Sequence, residues 1–187
     1  MPAGTDIIYR VNAADEISFT NRQYDEFARE NDGEKALSTA VLHCSLWSFI
    51  TEPTTQNLYR EVLRRVRDGR SIQFTFRCDS PACRRLMEMI VVSTDAEGVE
   101  FRTRALLEES RHPQTVLQHH ARSSGEFLRM CAWCNAMNAD GDWVEVEEAA
   151  LRLRLFEYSC LPTVTHGICD ACFTKMKRTL SEPPNTA

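Results

Sequence analysis

The apolar positions of the first hundred residues change period several times, and each change marks an element. Residues 7–11 (Ile-Ile-Tyr-Arg-Val) and 16–19 (Glu-Ile-Ser-Phe) read as two short strands around the polar turn Asn12–Asp15. A helix follows from a cap at Thr20 or Asn21, carries Tyr24, Phe27 and Ala28 on one face, and stops at Gly33. The apolar, aromatic piece Leu42–Ile50 predicts one or two short helical turns. Pro53 suits the first turn of a longer helix, along which Leu58, Tyr59, Val62, Leu63 and Val66 recur at helical spacing until Gly69. Ile72, Phe74 and Phe76 alternate with Gln73, Thr75 and Arg77, which predicts a strand with one buried face. Arg85–Ser93 and Val99–Leu107 are two longer strands joined by the hairpin signal Asp95-Ala-Glu-Gly98.

Strand, strand, helices, then three strands is an α+β order: a mainly antiparallel five-stranded sheet with helices on one face. Periodicity is lost over residues 108–126, where Pro113, His119-His120 and Ser123-Ser-Gly125 accumulate. The expected organisation is therefore a domain over 1–110, a linker over 111–128 and a small C-terminal domain over 129–187. In that last block Val146, Ala149, Ala150, Leu153 and Phe156 make a helical stripe. A final helix carries Phe173, Met176 and Leu180 on one face, with Asp170 near its start and Lys175, Lys177 and Arg178 near its end. Those charges suit the helix dipole. The tail Ser181–Ala187, with Pro183-Pro184, is expected to fray.

The C-terminal block also holds the sharpest chemistry. Cys131-Ala-Trp-Cys134 and Cys169-Asp-Ala-Cys172 are two C-x-x-C pairs separated by residues 135–168. Each pair spans one edge of a tetrahedron, so two pairs supply the four thiolates of a closed zinc site, with no open position for water. A block this small struggles to fold on its core alone, and structural zinc typically supplies about 10–16 kcal/mol of apparent binding energy. The expected ligands are Cys131, Cys134, Cys169 and Cys172, with His166 and Cys160 as alternative donors. Cys44, Cys78 and Cys83, like Cys160, show no paired spacing.

Composition narrows the classes. With 43% apolar and 26% charged residues, the chain reads as a soluble globular protein. A net charge of −5 argues against broad binding to a nucleic-acid backbone. No apolar run approaches the ~20 residues of a membrane span. Met1–Asp6 lacks a basic segment followed by an apolar run, so the expectation is a reducing cytoplasm, where paired cysteines favour metal over disulfides.

Two stretches resemble bacterial signalling modules. Met130-Cys-Ala-Trp-Cys134, Gly141-Asp-Trp143, Glu147-Glu148 and Thr165-His-Gly-Ile-Cys-Asp-Ala-Cys172 resemble a small zinc-binding tail of the form Cys-x-Trp-Cys … His-Gly-Ile-Cys-x-x-Cys, which follows PAS or other sensory modules. The front resembles a PAS-like domain through Ile17-Ser-Phe-Thr-Asn21, Tyr24-x-x-Phe-Ala28, Ser45-Leu-Trp-x-Phe-Ile50, Leu58-Tyr59 and Phe76-Arg-Cys-Asp-Ser-Pro81. It departs from the PAS pattern in its Leu42-His-Cys44 lead-in. The resemblance implies a PAS-like sheet domain plus a treble-clef-like zinc element, the metal positions being the same four cysteines. No kinase, cyclase or receiver motif accompanies them, so output would pass through a protein partner or a rearrangement of subunits such as a homodimer.

Other features have plainer readings. Trp47, Phe49, Tyr59, Phe74, Phe76 and Met89 are candidates to line a small-molecule pocket of unknown ligand, although large apolar residues such as these read first as ordinary core. The photochemical flavin signature is absent. His43 is the only histidine in the sensory half and reads as structural rather than as a haem ligand; His112, His119 and His120 read as solvated. Arg60, Arg64, Arg65, Arg67 and Arg70 form either the wet face of a helix or a dock for an acidic partner. No Ser/His/Asp set, phosphate loop or paired-acid motif appears. The sequence thus points to a non-enzymatic signalling or regulatory protein with a structural zinc site, and, as an alternative, to a zinc-thiolate redox switch.

Overall fold

A computed structural model describes residues 6–118 and 124–181. The expectations for His119, His120 and the tail beyond Ser181 lie outside the described residues. The chain is mixed α and β and divides into two compact units that are discontinuous in sequence. The first takes its described residues from 6–75, 88–105 and 175–181; the second comprises 76–87 with the described part of 106–174. Contacts thus group the residues differently from the segments 1–110, 111–128 and 129–187 expected from periodicity.

In the first unit, β1 (Ile7–Val11) and β2 (Ile17–Thr20) form an antiparallel hairpin. The side chain of Asn12 closes its turn by accepting from the amides of Ala14 and Glu16, both at 2.9 Å. Asn21 then caps α1 (Arg22–Glu30): its Oδ1 accepts from the amides of Tyr24 and Ile8, each at 3.0 Å. One side chain thereby starts the helix and ties it to β1. Three short turns follow, a 3₁₀ turn at Glu34–Ala36, α2 (Ser38–Val41) and a 3₁₀ turn at Leu46–Ser48, of which only the last falls within the expected Leu42–Ile50. Next comes α3 (Pro53–Arg67), with Pro53 in its first turn and Leu58, Val62, Leu63 and Val66 buried. Beyond it Gly69, at φ +89°, occupies the left-handed conformation in which a side chain would strain the backbone.

Three strands complete the sheet: β3 (Ile72–Arg77), β4 (Cys83–Ser93) and β5 (Val99–Ser110). The sheet is five-stranded and antiparallel in the order β2-β1-β5-β4-β3, so the first strand of the chain pairs with the last of the five. Alternation separates its faces. Tyr9 and Phe101 stack with ring centroids 4.5 Å apart, and Tyr24 of α1 and Tyr59 of α3 pack around them. The opposite face is charged. Glu100 lies beneath Arg10 and Arg102, its carboxylate paired with both at 2.7 Å.

The second unit contains a smaller sheet of β6 (Phe127–Cys131), β7 (Met137–Ala139), β8 (Asp142–Val144) and β9 (Thr163–Gly167), in the order β8-β7-β6-β9. β6 and β9 are parallel, and the other pairs are antiparallel. Helix α4 (Val146–Arg152) covers it with Val146 and Ala149, which join Leu128, Met130, Met137, Ala139 and Leu155 in one core. Val116, from a 3₁₀ turn in the segment read as linker, is buried in that core too.

The expected stripe through Phe156 needs correction. α4 stops at Arg152, and Arg154 takes φ +50° before a 3₁₀ turn at Leu155–Glu157. That left-handed residue resets the phase, so Leu155 is buried and Phe156 is 69% exposed. Helix α5 (Asp170–Ser181) lies where it was expected and buries Met176 and Leu180.

Candidate metal centre

The two cysteine pairs lie far apart in sequence and are brought together by strand register. In the parallel pair, Phe127 faces Thr163 and each following residue keeps step, ending with Cys131 opposite Gly167. Ala132 extends the pairing by donating its amide to Gly167 O at 2.8 Å. Both strands leave the sheet at the same end, and each runs directly into its C-x-x-C.

The first pair forms a tight knuckle. Asn135 N donates to Cys131 O at 2.9 Å, and Cys131 N donates to Ala136 O at 2.8 Å. Asn135 reaches this turn with φ +57°, a conformation asparagine tolerates better than most residues. The second pair opens α5. Cys169 O accepts the Phe173 amide at 2.9 Å, while Cys169 Sγ accepts the Cys172 amide at 3.4 Å. That sulfur thus takes the place of a capping oxygen at a helix start, where free N–H groups favour negative charge.

The four Sγ atoms of Cys131, Cys134, Cys169 and Cys172 all lie within 4.8 Å of one another. Cys134 and Cys169 bring theirs to 3.8 Å across the two knuckles. Cys131 Sγ also accepts the amides of Trp133 (3.5 Å) and Cys169 (3.4 Å). Cys131 and Cys169 are buried, whereas Cys134 and Cys172 are half-buried.

Such a cluster cannot carry four negative charges unaided. Hydrogen bonds from Cys134 and Cys172 hold the Cys131 thiol well below the usual range. Hydrogen bonding to the Cys131 sulfur in turn pushes Cys134 up to about 11 and raises Cys172 as well. A divalent ion held here would ionise all four thiols outright. An all-sulfur donor set in this arrangement fits a metal ion such as zinc.

The chain matches no protein-family model and no curated relative.

Among the described residues the cluster contains neither alternative donor. His166 sits on β9 opposite Met130 and is exposed, and Cys160 lies in the loop before β9. Behind the cysteines, a Cβ on Gly167 would approach an Arg129 guanidinium nitrogen to 3.0 Å. That guanidinium stands over Trp143, 5.6 Å from the ring centroid. The glycine of Thr165-His-Gly167 and the tryptophan of Gly141-Asp-Trp143 thus have one reason: both make room for, or hold, the same arginine.

A second constellation is absent from the sequence expectations. The Asp79 side chain is fully buried, accepts from Arg77 and, at 3.1 Å, from the Arg85 amide, and pairs with Arg111 at 3.1 Å. Arg77 continues to Glu145, Arg111 to Glu147 (both 3.2 Å), and Arg84 to Glu147 at 2.8 Å. The backbone of Arg77 donates to Trp133 O at 2.6 Å, inside the first cysteine knuckle. The turn after β3 is therefore tied to the metal-site knuckle by one main-chain bond, and by a chain of ion pairs to Glu145 and Glu147 at the start of α4.

The remaining candidates differ in their surroundings. Phe74 and Met89 are buried; Phe49 is 47% exposed; Phe76 belongs to the second unit. Trp47 is half-buried, its indole N–H donating to Asp15 at 3.0 Å, with the Arg60 guanidinium 3.9 Å from its ring centroid. His43 (φ +65°) and His112 are exposed. Several cations of the basic segment have partners within the unit. Arg64 and Arg65 pair with Glu61, and Arg67 with Asp15 at 2.7 Å. Among the described residues no helix is long and apolar enough to cross a membrane.

Proposed function

We propose that this chain is a non-enzymatic signalling or regulatory protein of bacterial type, with a PAS-like sensory or interaction unit and a treble-clef-like element built on one structural zinc ion. The observation that carries the reading is the convergence of four sulfurs within 4.8 Å from two separate C-x-x-C pairs. Four thiolates close the coordination sphere, so the metal's role is to hold the fold. The order knuckle, hairpin and helix-borne second pair supports the treble-clef comparison. The five-stranded antiparallel sheet, with Tyr24 and Tyr59 from two helices packed on one face, supports the PAS-like one.

Zinc would fix the start of α5, and the buried Met176 and Leu180 follow on the same helix. A set helix start is the route by which the metal site acts on the chain beyond it. Output then passes to a protein partner or through self-association in the cytoplasm, with nucleic acid disfavoured by the acidic balance. Native mass spectrometry of protein isolated without chelator tests the proposal. It should show one zinc per chain, and the same spectrum reports subunit count and any retained small molecule. A folded chain without metal contradicts the reading.

A further inference from the structure

The cysteine cluster has two unlike halves. Its buried sulfurs, Cys131 and Cys169, are the first cysteines of their pairs, and each accepts at least one backbone N–H. The half-buried ones, Cys134 and Cys172, are the second cysteines. A solvent-borne electrophile therefore meets the cluster at Cys134 or Cys172. Of these, Cys134 lies 3.8 Å from the sulfur of Cys169, on the opposite knuckle. A disulfide bond is about 2.05 Å long, so closing this pair needs a shift of under about 2 Å.

We propose that the metal site is also an oxidation site, at which a two-electron oxidant of the peroxide class joins Cys134 to Cys169 across the knuckles and expels the metal. This rests on the zinc reading above and adds to it the regulation of that site. The Cys134 thiolate attacks one peroxide oxygen, forming a sulfenic acid and releasing hydroxide. The Cys169 thiolate then attacks the sulfenic sulfur, the S–S bond forms, and a second hydroxide leaves. The two sulfurs lose two electrons, the peroxide gains them, and two protons from solvent complete two waters. Zinc, left with two ligands, dissociates.

A bond across the knuckles has a different consequence from one within either C-x-x-C. It would link the end of β6 to the start of α5 covalently, so the two segments stay together after the metal departs. Disulfides within each pair would instead let them separate.

The test treats zinc-loaded, full-length protein with limiting hydrogen peroxide, reads zinc release with a chromogenic chelator, and maps disulfides by peptide mass spectrometry. The expected result is one zinc released per disulfide, with Cys134–Cys169 the dominant linkage. Bound zinc that resists peroxide, or release accompanied by Cys131–Cys134 and Cys169–Cys172 linkages, overturns this inference and leaves the structural zinc reading standing. Protein that holds no zinc before oxidant is added overturns both.

Discussion

Cys131 and Gly167 face each other at the last paired position of the parallel strands β6 and β9. Parallel pairing sends both chains out of the sheet at one end, so the cysteines that follow arrive together. An antiparallel pair would deliver them to opposite ends. The metal site is therefore a consequence of strand direction as much as of cysteine spacing.

Replacing one ligand should cost the second unit its fold. Apparent zinc binding of about 10–16 kcal/mol is as large as the whole stability of a typical domain. Cys169→Ser is expected to lose zinc and hydrogen-exchange protection over β6–β9, while β1, β2 and α3 stay protected. Cys44→Ser, outside the cluster, should keep full metal stoichiometry.

Asp79→Asn should destabilise strongly without touching a ligand. The Asp79 side chain is fully buried between Arg77 and Arg111, and removing one member of a buried charge network costs up to about 3–5 kcal/mol. The lower part of that range applies here, because Arg77 and Arg111 keep Glu145 and Glu147. Chemical denaturation is expected to show a loss of that size. A change under about 1 kcal/mol would show that the network is not a stabilising element.

Gly167→Ala is a milder probe. Its φ does not require glycine, but the new methyl would press on the Arg129 guanidinium and disturb its place over Trp143. The expected cost is about 0.5–1 kcal/mol, the usual worth of an exposed cation–π contact, with a change in tryptophan fluorescence and unchanged zinc content.

Acid should weaken the first unit through Glu61. Hydrogen bonds from Arg64, and then from Arg65, lower its carboxyl from 4.5 to about 2. A depressed acid contributes stability that is present above the unfolded value and lost as pH falls through the folded one. Between about 4.5 and about 2, wild-type stability should therefore fall more steeply than that of Glu61→Gln. Parallel curves for the two proteins would contradict the assignment.

How much of this was legible in the sequence depends on how local each cause is. The hairpin of β1 and β2, the cap at Asn21, the face of α3 and the β4–β5 hairpin all follow from alternation, helical period and turn residues within a few positions. The C-x-x-C pairs were legible for the same reason. The second sheet was not, because its strands are short and the β6–β9 pairing joins distant segments. One clue was available: Asp140-Gly141 is a two-residue hairpin signal, and both residues have positive φ between the paired Ala139 and Asp142. Arg154 at φ +50° carried no such signal, and the stripe through Phe156 failed there. The Asp79–Arg111 pair joins residues whose proximity only the folded second unit creates.

X-ray absorption at the zinc edge tests the central claim most directly. The account predicts one zinc per chain surrounded by four sulfurs at about 2.3 Å, with no nitrogen or oxygen neighbour. A spectrum showing a nitrogen or oxygen ligand, or a folded protein with no zinc edge at all, would contradict it.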